Sequence, residues 1–254
     1  MNDKKIDITV VMPALNEARN IKAAITNTLK SFDDYSINGE IIVINDGSTD
    51  ETKDIVNEII KTDNRVRIIE HKNPIGIGAS YWNGVDNARG KVVTWLPGDN
   101  ENDHWEIFQY YKLLDCVDIV IPFVFNKEVR PLFRNILSFL YRFMVNTTFR
   151  VNFNYTNGTV LLRKSILDEL NHRSYGFFFQ TDILIRAVKK GYLFAEVPYK
   201  LGMRSDSISK AVSFPSLIKV IKGYLRLVKD FYFKNKCDQR GFTEDSVTAK
   251  RRNS

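Results

Sequence analysis

Val93-Thr94-Trp95-Leu96-Pro97-Gly98-Asp99-Asn100-Glu101-Asn102-Asp103 is the stretch on which the fold turns. An apolar run with strand character stops at Pro97-Gly98. Acidic and amide side chains follow at once. In an open α/β sheet, ligands sit beyond the carboxyl ends of the strands, so carboxylates at this place are candidate ligand groups. Asp99 and Glu101, two positions apart, suit a hard divalent cation that also holds phosphate oxygens. The same residues also read as an acidic turn in which Asp99 or Asn102 caps the following helix.

Upstream, the chain repeats strand, loop and helix. Ile6 to Met12 has the length and composition of a buried strand and ends in Pro13-Ala14-Leu15-Asn16-Glu17. Ala18 to Phe32 carries Ile21, Ala24, Ile25 and Leu29 at helical spacing. A second strand, Ile41 to Ile44, ends in Asn45-Asp46-Gly47-Ser48-Thr49-Asp50, and Glu51 to Ile60 forms the next helix with Thr49 or Asp50 as its cap. Val66 to Glu70 is a third strand, followed by Gly76, Gly78 and a helix over 79–88. Lys91 to Leu96 is the fourth. This alternation predicts an α/β fold with a mostly parallel sheet and helices on both faces.

The 254 residues suffice for one large α/β domain, and 44% hydrophobic with 26% charged residues is ordinary for a globular chain. Two cysteines, Cys116 and Cys237, make neither a zinc site nor a disulfide framework. No apolar run approaches the roughly 20 residues needed to span a bilayer, and the polar opening MNDKKID is no signal peptide. Leu217 to Phe233 places Leu217, Ile221, Tyr224, Leu225, Val228 and Phe231 on one helical face and Lys219, Lys222, Arg226 and Lys229 on another. That is a basic amphipathic helix suited to a membrane interface. Pro131 to Phe149 is also rich in Leu, Phe, Ile and Met. Each of these helices reads equally as one packed on its own domain or on a second copy in a homodimer. Lys234 to Ser254 is polar and basic, the composition of a disordered tail.

Val10 to Ile21 (VVMPALNEARNI), Val43 to Thr52 (VINDGSTDET) and Asn73 to Asp99 resemble, in order and spacing, family 2 glycosyltransferases of the GT-A fold. Thr156 to Leu167, Phe177 to Tyr199 and Arg204 to Lys210 are similar to the branch containing dolichyl-phosphate mannose synthase and bacterial polyprenyl-phosphate glycosyltransferases. The resemblance implies a single GT-A domain over 1–212, followed by the amphipathic helix at 213–234 and the tail at 235–254.

It also implies roles. Pro13, Leu15, Glu17, Asp46, Ser48 and Gly76 would line the nucleotide site, with Asp46 accepting a hydrogen bond from the base. Asp46 also reads as an Asx-turn residue before the next helix, and Gly76, Gly78, Asn83 and Gly84 as helix–strand packing. Asp99 and Glu101 would hold Mg²⁺ or Mn²⁺ on the diphosphate of a UDP- or GDP-linked sugar. Inverting displacement on a hydroxyl acceptor needs a general base, and Asp182 stands at that position. It reads otherwise as an ordinary carboxylate near a helix N-terminus. A phosphate acceptor needs cations instead, and Arg134, Ser138, Arg204, Ser209 and Lys210 match residues placed for one. They also read as solvated surface charge.

Departures from the family pattern are specific. Pro97 stands where the first metal-binding aspartate is usual, Val124 where a phosphate-binding arginine is usual, and Ser207 where the acceptor loop has glycine. A net charge of +7 fits a nucleotide-diphosphate substrate and an anionic membrane surface, and no nucleic-acid motif is present. The expectation is a metal-dependent, inverting hexosyltransferase acting on polyprenyl phosphate at the cytoplasmic membrane face. A glycan or small-molecule hydroxyl acceptor and a non-catalytic nucleotide-sugar-binding protein are the alternatives.

Overall fold

Runs of Ile and Val ending in Pro, Gly or Asx turns become strands, and the 3.6-residue apolar repeats between them become helices. The computed structural model describes residues 5–126, 132–200, 214–233 and 241–253. β1 (Ile8–Ala14), α1 (Ile21–Asp34), β2 (Gly39–Asp46), α2 (Thr52–Ile60), β3 (Val66–His71), α3 (Ile77–Asn87) and β4 (Val92–Trp95) form the first half. The second half holds α4 (His104–Phe108), β5 (Ile119–Val124), α5 (Leu132–Phe149), β6 (Leu161–Arg163), α6 (Lys164–Asp168), α7 (Phe179–Lys190), β7 (Phe194–Tyr199), α8 (Phe214–Tyr232) and α9 (Val247–Asn253).

The seven strands form one sheet in the order β3-β2-β1-β4-β6-β5-β7. β6 runs antiparallel to both of its neighbours, and every other pair is parallel. The expected mostly parallel sheet is therefore present. Its two faces carry separate cores, because alternate residues of a strand point opposite ways. Val10, Met12, Ile41 and Val43 pack with Ile25, Phe32 and Val56 of α1 and α2. Val11, Ile42 and Ile44 pack with Trp82 and Val85 of α3 and with Ile183 and Leu184 of α7.

α8 departs from the single apolar face expected of it. Tyr224, Leu227, Val228 and Phe231 turn inward, with Leu227 fully buried. Tyr224 and Phe231 meet Phe149 of α5 edge-on, and Thr148 bonds the Tyr224 hydroxyl at 2.7 Å. Ile221 and Leu225, expected on that same face, are exposed instead. Nineteen residues give α8 room for two apolar stripes, and among the described residues one of them packs inward.

The expected disordered tail at 235–254 is corrected over 241–253, the rest lying outside the described residues. Val247–Asn253 is helical, and Ser246, Val247, Thr248 and Ala249 are buried. Asp118, fully buried at the entry to β5, organises this end. Its carboxylate accepts the Val247 amide (2.6 Å), the Thr248 amide (3.1 Å), the Thr248 hydroxyl and the Arg163 guanidinium (3.0 Å). A carboxylate at a helix N-terminus answers both the unpaired amides and the helix dipole. Polar composition argued for disorder, but one buried acid on another element supplied the partner. Asp118→Ala strands Arg163 and the α9 amides, so a urea midpoint should fall by the equivalent of about 3 kcal/mol.

Candidate active site

Six of the seven strands point the same way, so β1, β2, β3 and β4 deliver their following loops to one edge. Two backbone bonds carry the β1–β4 pairing past the end of β4: Leu96 donates to the Val11 carbonyl (3.0 Å) and Gly98 to the Pro13 carbonyl (3.0 Å). Asp99 is thereby set beside the start of the β1–α1 loop. A Cβ at Gly98 would lie 2.8 Å from Ile21 Cδ1, which would have to shift to admit a side chain there. Asp99 then turns the chain, its Oδ1 accepting the Glu101 amide (3.0 Å). Asn100 takes φ +56° and its Oδ1 accepts from Asn27 of α1 (3.2 Å). Neither Asp99 nor Asn102 caps α4. Asp103 does, through the Trp105 and Glu106 amides, which leaves Asp99 and Glu101 with no capping role.

The β1–α1 and β2–α2 loops are laced together. Asn16, at φ +57°, gives its amide to Ser48 Oγ (3.0 Å) and accepts the Thr49 amide on Oδ1 (2.8 Å). The Glu17 amide meets Thr52 Oγ1 (2.8 Å), and the Ala18 amide meets Asp50 Oδ2 (3.1 Å). Asp50 also accepts the amide of Thr52, the first residue of α2 (3.0 Å), close to its expected capping role. Pro13, Leu15, Glu17 and Ser48 therefore share one rim with Asp99. Pro13 is buried in the sheet, Leu15 and Glu17 are half-buried, and the Glu17 carboxylate accepts from Asn20.

Asp46, 5% exposed, ends β2. The Asx turn expected of it is made by Asn45, whose Oδ1 accepts the Ser48 amide (3.2 Å). Asp46 faces the β3–α3 loop instead. Its Oδ1 meets the Ile75 amide (2.9 Å) and His71 Nδ1 (2.8 Å), and its Oδ2 meets the Gly76 amide (2.9 Å). Burial opposes the charge, but the Ile75 amide, the His71 ring and the Gly76 amide outweigh it and hold the carboxyl below its ordinary range. Gly76 is there for its backbone, at φ +96°, with open space around it. Gly84 packs on Val11 as expected, whereas Asn83 turns to His71.

Trp95 joins this edge to the second half of the fold. Its Nε1 and the Gln180 amide both donate to the Gly158 carbonyl (3.2 and 2.9 Å), which ties the end of β4 to the first turn of α7. Next along, Thr181 bonds Tyr141 (2.7 Å) and Asn157 (3.1 Å). Asp182 follows, 2% exposed. It is no ordinary surface carboxylate. Its Oδ1 meets Arg186 Nε (3.0 Å), Arg186 also holds Asp230 of α8 (2.8 Å), and Oδ2 is buried with no hydrogen-bond partner. Burial pushes the Asp182 carboxyl up to about 6 against the pull of Arg186, and Asp230 adds to the rise.

Other expected residues lie apart or outside the described set. Ser138 sits on the half-exposed side of α5. Arg134 belongs to the same helix, but its side chain lies outside the described residues, as do Arg204, Ser209 and Lys210 entirely. Val124, in the usual arginine position, is buried in the sheet. Asn16, His71 and Gly158 were not singled out from the sequence. His71 ends β3, where the strand-end rule that drew attention to Asp99 applies equally. Among the described residues, no three His, Cys, Asp or Glu side chains gather as a metal cage.

The sequence pattern described as Glycosyl transferase family 2 matches residues 9–171. The chain belongs to glycosyltransferase family 2. It is 24% identical over 222 residues to Glycosyltransferase AglD of Haloferax volcanii, covering 80% of this chain and 34% of that protein. It is 26% identical over 179 residues to the putative glycosyltransferase CsbB of Bacillus subtilis, covering 67% of this chain and 54% of that one. The chain thus spans about a third to a half of these relatives. Among solved structures, glucosyl-3-phosphoglycerate synthase from Mycobacterium tuberculosis, in complex with Mn²⁺, UDP and glucosyl-3-phosphoglycerate, aligns with a TM-score of 0.64 at 20% identity. The match covers 88% of this chain and 80% of that one, and it establishes the shared GT-A architecture.

The raised Asp182 carboxyl carries a linkage consequence. The native chain binds this proton more tightly than the unfolded chain, so the group's contribution is full below the ordinary carboxylate range near pH 4. It is lost as pH rises through about 6. Urea midpoints of the wild type should therefore fall between pH 4 and 7 relative to Asp182→Asn, by up to about 3 kcal/mol. Parallel profiles would show that Asp182 carries no such shift.

Proposed function

We propose that this chain is an inverting glycosyltransferase that moves a hexosyl group from a nucleoside-diphosphate sugar to polyprenyl phosphate at the cytoplasmic membrane face. The observation that carries the donor half is the meeting of Asp99 and Glu101 with the laced Leu15–Glu17 and Ser48–Asp50 loops at one sheet edge. Asp99 and Glu101 fit Mg²⁺ or Mn²⁺, ions that keep several waters and need one or two carboxylates besides phosphate oxygens. Pro97 removes one donor from the usual set, and Asp99 stands at the rim through the Gly98–Pro13 backbone bond. When bound, the ion would neutralise charge on the departing diphosphate. The Mn²⁺ and UDP bound by the mycobacterial synthase agree with this chemistry.

In the transfer, an acceptor oxygen attacks the anomeric carbon. The new C–O bond forms as the bond to the diphosphate oxygen breaks, and the nucleoside diphosphate leaves with that electron pair. The rim residues hold the donor, and the tight loops exclude water from its diphosphate.

The acceptor half rests on α5 and α8. Leu132, Phe133, Ile136, Phe139, Leu140 and Phe143 are exposed along α5, Phe133 by 71%. Ile218, Ile221 and Leu225 are exposed along α8, among Lys219, Lys222, Arg226 and Lys229. An apolar surface of this extent beside a basic stripe suits the interface of an anionic bilayer. No helix among the described residues is long and apolar enough to cross a membrane, and the contact proposed here is one of surface helices with the bilayer interface. A polyprenyl phosphate would present its headgroup there, and Arg134, Ser138, Arg204, Ser209 and Lys210 are the residues proposed to hold it.

A second reading is favoured by one observation, the unpartnered buried Oδ2 of Asp182. That atom would accept the proton of a hydroxyl acceptor. The readings part cleanly in transfer assays with polyprenyl phosphate and with sugar alcohols. Lipid-phosphate transfer predicts that Arg134→Ala lowers turnover at least about 100-fold, the scale of a lost charge-stabilising contact, while Asp182→Asn keeps most of it. Hydroxyl transfer predicts the reverse, with nucleotide affinity intact in Asp182→Asn.

A further inference from the structure

The contacts around Asp46 have a direction that fixes every proton. Asn87 Nδ2 donates to the backbone carbonyl of Asn83 (2.9 Å), a group that only accepts, so the Asn87 amide has one possible orientation. The same nitrogen donates to Asn83 Oδ1 (3.1 Å). Asn83 must then present its Nδ2 to His71 Nε2 (2.9 Å). Nε2 is therefore the accepting nitrogen of a neutral ring, and the ring proton sits on Nδ1, aimed at Asp46 Oδ1 (2.8 Å). The chain of donors runs from α3, through the end of β3, to the end of β2.

At its end, Asp46 is an acceptor only. Oδ1 takes two donors, His71 and the Ile75 amide, and is saturated. Oδ2 takes one, the Gly76 amide, and keeps a lone pair. The carboxylate is held from the β3–α3 side by all three contacts and cannot rotate without breaking them. With Ser48 and Asn16 on the neighbouring loop, that remaining lone pair belongs to the rim assigned to the donor nucleotide.

We propose that His71, oriented by Asn83 and Asn87, is a positioning residue that fixes Asp46 as a pure acceptor and so sets which nucleobases the donor site takes. A single open acceptor pairs with a base that carries a ring N–H, as uracil and guanine do. It opposes cytosine, whose ring nitrogen at that place is itself an acceptor. Two acceptors facing each other leave both unpaired in a half-buried site. This inference rests on the donor-site reading above and deepens it by naming the class of nucleotide and the residues that enforce the choice.

The test is calorimetric titration of the full chain with UDP, GDP and CDP, each with Mn²⁺. The wild type should bind the better of UDP and GDP about tenfold or more tightly than CDP. His71→Ala should reduce that ratio to about threefold or less, because Asp46 becomes free to turn. His71→Asn places an amide nitrogen near the Nδ1 position and should restore most of the ratio. Asn83→Leu, which leaves both Asp46 and its three partners in place, should give a smaller loss in the same direction and covers the case of an unstable His71→Ala. A purely structural role would lower affinity for all three nucleotides alike and leave the ratio unchanged. That result in His71→Ala, alongside a collapsed ratio in Asp46→Asn, would overturn the role of His71. An unchanged ratio in Asp46→Asn itself would instead remove the base-reading role of Asp46.

Discussion

The hydrogen bond from the Gly98 amide to the Pro13 carbonyl is the contact on which the site depends. It extends the β1–β4 pairing beyond the regular strand and so determines where Asp99 emerges. Were the chain to leave the sheet at Leu96, the acidic turn would swing clear of the β1–α1 loop and its carboxylates would meet solvent. Gly98 lets the chain pass close to Ile21, whose Cδ1 would have to shift to admit a side chain there. The turn that follows is fixed in its turn by Asn27 and Asn100, and it releases Asp103 rather than Asp99 to cap α4. Small residues and amides thus hold the loop that carries Asp99 and Glu101.

The two halves of the site are built on different physical terms. The donor edge is a lattice of backbone amides and short polar side chains, with Asn16, Ser48, Thr49 and Asp50 bonded across two loops. Such a lattice is formed before any ligand arrives, which lowers the ordering cost of binding. The side proposed for the acceptor is governed by burial instead. Asp182, Arg186 and Asp230 make a charged cluster between α7 and α8, where removing one member leaves another uncompensated. Around it, α5 and α8 expose long apolar side chains among the described residues. That surface lies on α5, which also carries Ser138, and on α8, whose Asp230 shares Arg186 with Asp182.

The fold was legible because periodicity is local. The apolar runs before Pro13, Asn45 and Pro97 were strands, and Ile21, Ala24, Ile25 and Leu29 did mark the buried face of a helix. Family membership was legible because several motifs occur in order, and four of them, from Val10–Ile21 to Thr156–Leu167, lie within the matched residues 9–171. What escaped was every feature set by a distant partner. Nothing near residue 247 announces Asp118, so a polar, basic stretch read as disorder. Asp46 was expected at the nucleotide base, with its own turn as the alternative, and neither reading foresaw the donors from His71, Ile75 and Gly76 that hold it. The inward stripe of α8 was misassigned because Phe149 and Phe178, whose rings meet Tyr224 and Phe231, are far away in the chain.

The central claim is that this sheet edge holds a nucleoside diphosphate through Asp99 and its bound metal. Thermal-shift titration against UDP, GDP, CDP and dTDP, each with and without Mn²⁺, addresses it most directly, since a ligand confined to the folded state stabilises it by RT ln(1 + [L]/Kd). Stabilisation by one nucleotide that requires Mn²⁺, and that disappears in Asp99→Asn, is the predicted result. Stabilisation that ignores both the metal and Asp99, or none with any nucleotide, would contradict the account.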